Sequence, residues 1–419
     1  MGKASIVYIV GLWVIMTIAL MSINATNTSA IENFTTYYGR TMAHNIAVTG
    51  ANIGTQKLLF DPSYSTDLLD QQYAGGSFDL HITKTGGDSA WVQSYAAYTA
   101  GGGTIRDTVI ACLRFTSFGK YGWFTDVEKN GYVGCPYYGA DDWKITGDSV
   151  FGYAHTNKQF HLGGAPYFND KVTATTAPKL MAVNGVKAPV YRAGYQWGIT
   201  VSRPASNMTR ILNTAALGGV VFSNTDVALN FLDDKVAVKI PPATGTVRND
   251  TVPIATLAPN GVIAVNNGDL RVKGRYQGKI TVSSITGNIW LDGNGIAAHD
   301  DPTTHPESND MLGIVANKSI YISKDLTRTS SSVFSIQAAV FSQLGELTAE
   351  SFWSIPRSGR VNLFGGVTQA TAGSLGVFNS GGLINGMYYT IRHDIRYNYS
   401  TPPVYPISDK YELASWWED

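Results

Sequence analysis

The chain has 419 residues, with 31 Lys and Arg against 31 Asp and Glu and a formal net charge of zero. Charged residues are 15% of it, against about 25% in ordinary soluble domains, while 44% is hydrophobic and 11% aromatic. That balance excludes the electrostatic footprint of a nucleic-acid partner and the make-up of a disordered chain, and 44 glycines without a triplet period exclude collagen.

Residues 4–23 form an uncharged apolar run of 20 residues, the length that crosses a hydrocarbon core of about 30 Å. Lys3 is the only charged side chain before Glu32, so the positive-inside rule keeps it cytoplasmic and sends the remaining chain outward. A cleaved secretory signal is the alternative, with Ala25 or Ala30 at the cut, but signal h-regions are shorter, about 7–15 residues. Beyond the run, Ile31, Phe34, Tyr38, Met42 and Ile46 recur at steps of three and four, with Ile53 extending the stripe. This is one face of an α-helix, either packed on its own domain or continuing the apolar run as one long helix. Gly39, Gly50 and Gly54 each cost a helix interior about 1 kcal/mol, so kinks or breaks are expected there.

From Leu58 onward the helical period gives way to short runs of Val, Ile, Thr and aromatics between Gly, Asn, Asp, Ser and Pro, the pattern of strands and turns. Residues 77–84, 90–98 and 108–118 read as strands. Within 143–173, Ile145, Val150, Phe160, Leu162, Phe168 and Val172 mark very short ones. Within 261–293, Ile263, Leu270, Ile280 and Ile289 centre strand-turn units spaced by 7, 10 and 9 residues. Further units follow at 312–315, 319–322, 334–342, 361–369 and 387–391. Such spacing with Gly and Asn at corners suits a parallel β-solenoid (β-helix), whose rungs bury their apolar faces only by stacking. A β-sandwich fits the same spacing.

Several segments, in serial order, resemble the PilX-like pilus-assembly or minor pilin-like family of bacterial surface proteins. They are the Met1-Gly2-Lys3 start with its apolar run, 38–46 (YGRTMAHNI), 117–125 (SFGKYGWFT), 147–157 (GDSVFGYAHTN) leading to 161–168 (HLGGAPYF), 261–293, 309–316 (NDMLGIVA), 364–386 and 402–406 (PPVYP). The start also looks like a prepilin-type leader, which implies processing between Gly2 and Lys3. The fifth residue after that cut is Val7, where major pilins carry Glu, so the resemblance points away from a major subunit. It implies a membrane-anchored, exported component of type IV pilus-like machinery, held in the inner membrane with its ectodomain in the periplasm or on the cell surface. Its partners would be filament subunits, met through the amino-terminal helix. It transfers no catalytic residue and no cofactor.

Candidate sites are sparse. The loop 295–310 gathers His299, Asp300, Asp301, His305, Glu307 and Asp310, and oxygen ligands of this kind favour calcium, with Asp300, Asp301 and Asp310 as the candidate ligands. The loop lacks EF-hand and HExxH spacing, and a solvated excursion is the plainer reading. Asp292, Asp310 and Glu346 are acids of the type that cleave glycosides, a chemistry that needs two carboxylates about 5–9.5 Å apart. His155 and His161 read as packed or hydrogen-bonded side chains. Cys112 and Cys135, the only cysteines, are a disulfide pair in an exported chain, worth roughly 3 kcal/mol in the entropic model; a buried thiol at Cys112 is the alternative. The aromatic tail with Tyr388, Tyr389, Tyr397, Tyr399, Tyr405, Trp416 and Trp417 either caps the solenoid or offers a sticky surface to glycans or a partner subunit.

The expected architecture is mainly β. A long amino-terminal helix (1–57) precedes a β-rich region (58–140), a solenoid-like region with an insertion (141–259), a carboxyl-terminal solenoid (260–400) and a tail or cap (401–419). The expected function is non-enzymatic: a membrane-anchored component of a pilus-like assembly or adhesion apparatus. A carbohydrate-active β-helix enzyme and a free-standing adhesin are the alternatives.

Overall fold

The computed structural model describes residues 2–85, 88–203, 208–240 and 248–418. The chain opens with one uninterrupted helix, α1 (Gly2–Phe60), and the remaining structure is mostly strand. A long amino-terminal helix followed by a β-rich ectodomain is therefore the fold, as the sequence predicts. The kinks expected at Gly39, Gly50 and Gly54 do not break the helix.

The chain divides into two compact units, Met1–Thr116 with Asp409–Asp419, and Ser117–Ser408. In the first, β1 (Leu68–Tyr73), β2 (Gly76–Thr85), β3 (Ser89–Ala100) and β4 (Gly103–Ser117) form an antiparallel meander. The strand Ile407–Glu418 lies beside β4 as the fifth member of this sheet. Alternation along each strand puts Phe78, Leu80 and Ile82, Ala90 and Val92, and Val109, Ala111 and Leu113 into one core with α1 residues Ile46, Ala47, Ala51 and Leu58. Tyr411 stacks on Phe115 with ring centroids 4.2 Å apart. The tail is thus a sheet strand of the first unit, a role the sequence pattern gave no sign of.

In the second unit most strands pair in parallel, with antiparallel pairings from Val227–Asp233 to Lys235–Ile240 and on to Arg248–Pro253, and between Gly376–Asn379 and Gly382–His393. One ladder runs from Val220–Ser223 through Val262–Asn266, Lys279–Ser284, Met311–Ala316, Val333–Ser342 and Arg357–Thr371. It continues onto β5 (Tyr121–Val127), then Tyr153–Thr156, Val172–Ala174 and Tyr195–Trp197. Its register lines up Val220, Ile263, Val282, Ile314, Val340, Val367, Trp123, Ala154, Val172 and Tyr195 in one row. A second ladder, from Val227–Asp233 to Leu347–Ala349, lines up Val227, Leu270, Ile289, Ile320 and Leu347. Apart from Val220 and Tyr195, which pack against its edge, these residues share one buried cluster, where each fully buried Val, Leu or Ile contributes about 1.5–3 kcal/mol by leaving water. A single row is apolar because parallel pairing repeats the same side of the strand at every step.

The expected internal boundaries at 140, 259 and 400 all fall inside this second unit. Pairing is the reason: β5 lies against Arg357–Thr371, so early and late segments complete one ladder.

Candidate functional site

The feature with the plainest functional content is α1. From Ile6 to Tyr38 its large apolar side chains stand exposed, among them Tyr8 at 83%, Trp13 at 72% and Phe34 at 69%. An 18-residue window in this helix has a mean hydropathy of 2.5, with none of it buried. By length and composition the helix is able to cross a membrane. Four of its threonines are folded back onto it: the hydroxyls of Thr17, Thr26, Thr28 and Thr35 donate to the carbonyls of Trp13, Ser22, Asn24 and Ile31 at 2.8–2.9 Å. A hydroxyl bonded four residues back no longer needs water. Gly2, the expected processing position, begins the helix; the side chain of its neighbour Lys3 lies outside the described residues.

The other half of α1 is buried through small residues. Gly39, Ala43, Ala47, Gly50, Ala51 and Gly54 are buried together with Ile46 and Leu58. A Cβ at Gly50 would lie 2.2 Å from Ser94 Oγ and 2.7 Å from Phe78 Cδ2. At Gly54 it would meet Val92 Cγ1 at 2.7 Å, and at Gly39 Ile105 Cδ1 at 2.5 Å. The glycines weaken the helix locally but let it approach the sheet closely. The expected apolar stripe holds only in part: Met42 and Ile46 lie in the packed half, whereas Ile31, Phe34 and Tyr38 are exposed. Beside this seam His44 Nδ1 is 3.1 Å from Asp107 and Nε2 3.6 Å from Glu418.

The second unit holds a buried ionic cluster that sequence reading missed. Lys144 Nζ bonds Glu128, and Asp142 at 2.7 Å; all three are buried. Trp123 lies under the ammonium, 4.2 Å from ring centroid to Nζ, and its indole N–H donates to Glu128 at 3.2 Å. Burial alone would lower the Lys144 pKa, but Asp142 and Glu128 hold it above the usual lysine value. Nearby carboxyls behave oppositely. Desolvation raises Asp148 to about 7 against the N–H groups of Ile145 and Tyr389. It raises Glu346 to about 7 as well, although Gly131 N–H and Thr371 Oγ1 donate to its Oε2. A lysine inside a WKI strand carries no sequence signal of burial; only the two acids drawn around it by the fold explain its position.

The acidic loop does not assemble a cation site. Asp310 is buried and commits one oxygen to Gly278 N–H at 2.6 Å and the other to Asp300 N–H at 2.9 Å. Asp301 Oδ1 accepts from Thr303 N–H and Oγ1 and from Gln337 Nε2, while Asp300 is exposed. Asp301 and Asp310 therefore act as turn and loop acceptors, while the Asp300 carboxylate faces solvent with Oδ1 3.8 Å from His299 Nε2. Among the described residues, no group of three or more His, Cys, Asp or Glu is arranged to hold a metal. The three acids weighed for glycoside cleavage part company too. Asp292 is gripped by Arg271, whereas Asp310 and Glu346 are buried.

The expected Cys112–Cys135 disulfide is not formed. Both are buried free thiols, Cys112 in β4 of the first unit and Cys135 in a loop of the second. His155 is hydrogen-bonded to Thr173 and Asn157, and burial lowers its pKa as it does that of His161. In the tail, Tyr397 and Tyr405 are buried in the second unit, with Tyr397 Oη donating to Leu312 O at 3.1 Å. Tyr399 and Trp417 remain exposed.

No family model matches the chain, and no curated protein matches it. Among solved structures it is similar to the crystal structure of the competence-associated pilin ComZ from Thermus thermophilus, at 12% identity and a TM-score of 0.37. The match covers 90% of this chain and 97% of that one. That score falls short of a shared fold.

Proposed function

We propose that this chain is a non-catalytic, surface-anchored component of a pilus-like assembly. The exposed half of α1 sits in the inner membrane before assembly and among the helices of filament subunits after it. The second unit, whose parallel ladders we read as the coils of a β-solenoid, stands outside as the ectodomain. A single observation carries this reading: a helix with an apolar surface on all sides over Ile6–Ile23 and no cover from its own chain. A helix apolar all round belongs in a core or a membrane, and here the core is elsewhere. Processing after Gly2 would release the helix from the membrane side while leaving the apolar run intact.

The test is cell fractionation with and without a prepilin peptidase, followed by mass determination of the amino terminus. Processing to Lys3 and a shift from the membrane to a sheared surface fraction are expected when the peptidase is present. An unprocessed amino terminus in both strains would leave a plain membrane anchor and remove the pilus reading.

A further inference from the structure

The second ladder of the second unit carries a groove that none of the roles above uses. Two adjoining cavities of about 670 and 610 Å³ share Asn230 and Lys273, each within the size range of ligand clefts. The register explains the groove. Across the strands, Lys239, Ala228, Arg271, Trp290 and Tyr321 form one outward row, and Ala237, Asn230 and Lys273 form the next. Alanine at 228 and 237 leaves the space between the longer side chains open. Opposite Lys273 the ladder skips from the pair Val272–Leu291 to Gly274–Ile296, so residues 292–295 bulge outward and form a wall. Bulges of this kind re-aim side chains next to sites. The return into the ladder requires glycine: Gly295 has φ +103°, and a Cβ there would lie 1.9 Å from Ser335 O.

The lining selects the ligand. Lys239, Arg271 and Lys273 are balanced by Asp226, Asp269 and Asp292. The acids are already engaged: Asp292 takes Arg271 Nε and Nη2 at 2.8 and 2.7 Å, and also Ser323 Oγ. Asp226 and Asp269 each accept a backbone N–H at 2.8 Å, from Asp269 and Asn288. Balanced charge offers no field to a polyanion. Asn230, Asn294, Lys273 and Ser335, by contrast, make no side-chain hydrogen bond or ion pair among the described residues. Amides and hydroxyls both donate and accept, the inventory that matches a ligand dense in hydroxyls. Trp290 supplies the apolar wall; its register neighbours Arg271 and Tyr321 lie 5.7 and 5.0 Å from the ring, so the indole meets the groove by its edge.

We propose that this groove binds a neutral, linear oligosaccharide along the ladder, held by Asn230, Asn294, Lys273 and Ser335 against the Trp290 edge. The site stands on its own geometry and holds whether or not α1 enters a filament.

Calorimetric titration of the full chain in detergent tests it, with neutral hexose oligomers (β-glucan, mannan and chitin hexamers), a uronate hexamer and a single-stranded oligonucleotide. At least one neutral oligomer is expected to bind, more tightly than its own dimer. Ala228→Trp, which fills the groove at an exposed-row position, should weaken that binding at least ten-fold, about 1.4 kcal/mol. Asn230→Ala with Asn294→Ala should weaken it several-fold with an unchanged melting temperature. The proposal is overturned if no neutral hexamer binds at millimolar concentration, if only the uronate or the oligonucleotide binds, or if Ala228→Trp leaves the affinity intact.

Discussion

From Ile6 to Tyr38, α1 turns large apolar side chains into open space, whereas from Gly39 to Leu58 the same helix lies so close to a sheet that added methyl groups would collide. The two halves share a secondary structure and little else. The first is apolar all round over Ile6–Ile23 and has no cover there from the rest of the chain. The second is covered by its own domain and depends on having almost no side chain at the contact. Continuity of the helix joins a part that the fold stabilises to a part that only an environment can.

The largest expected effect lies in the exposed half. Ile15→Lys puts a charge in the middle of the apolar run, which costs insertion about 2.5–3.5 kcal/mol. Membrane-fraction recovery after a carbonate wash should drop sharply, while the thermal melt of the purified chain stays unchanged, because Ile15 touches nothing it folds against. Ile46→Lys should do the reverse and unfold the first unit, since Ile46 is fully buried there. Should both variants fractionate and melt alike, the two halves would not be distinct.

Next in size is the seam. Gly50→Leu forces a side chain toward Ser94 and Phe78, and overpacking of this sort costs about 1–3 kcal/mol. Urea denaturation of the first unit should show a lower midpoint, and Gly54→Leu the same through Val92 and Leu80. An unmoved midpoint would mean that helix and sheet separate freely, and that the glycines are not there for close approach.

Reading that midpoint requires telling the two units apart, and pH does so. Glu346 has an ordinary carboxyl pKa when unfolded and about 7 when buried in the second unit. Between those values the folded state holds a proton that the unfolded state has lost, so stability falls as pH rises, and above about 7 the full cost persists. Asp148 acts in the same direction. In the first unit the N–H of Ile82 and the imidazole of His81 depress Asp67, so that group favours folding as pH rises through the acid range and adds no dependence near neutrality. Glu346→Gln keeps the oxygen that accepts from Gly131 and Thr371. It should match the wild-type melt of the second unit at pH 4.5 and exceed it at pH 8, by on the order of 2 kcal/mol. Equal differences at both pH values would mean that the carboxyl is not held protonated.

Much of this was legible in the residues, but unevenly. The apolar run over 4–23 and the strand centres Ile263, Leu270, Ile280 and Ile289 announced the helix and the β-rich body, because burial repeats with the period of the backbone. The seam was not legible: Gly39, Gly50 and Gly54 read as helix breakers, since a sequence does not show what approaches a missing side chain. Lys144 carries no sign of burial in the sequence, because Glu128 and Asp142 come beside it only through the fold. Asp300, Asp301 and Asp310 suggest calcium by density alone, yet the oxygens of Asp301 and Asp310 go to backbone and side-chain donors that only the turn geometry supplies, and Asp300 faces solvent. Cys112 and Cys135 were paired by number, and the fold put them in separate units.

The smallest expected effect is also the most discriminating between the two halves. Gly11 sits in the exposed half with no atom within 4 Å of where its Cβ would be, so nothing in the chain requires glycine there. In the detergent-solubilised monomer, Gly11→Ala should raise helix stability by up to about 1 kcal/mol, the difference in propensity between the two residues, visible as a small gain in helical ellipticity on heating. If the exposed half is covered in the assembled state by a neighbouring helix, small residues are where backbones approach most closely, and the same methyl would then act as Gly50→Ala does in the packed half. A variant that gains stability alone and loses it on assembly would show that the first half of α1 is a seam awaiting its partner; a gain in both states would leave it facing lipid.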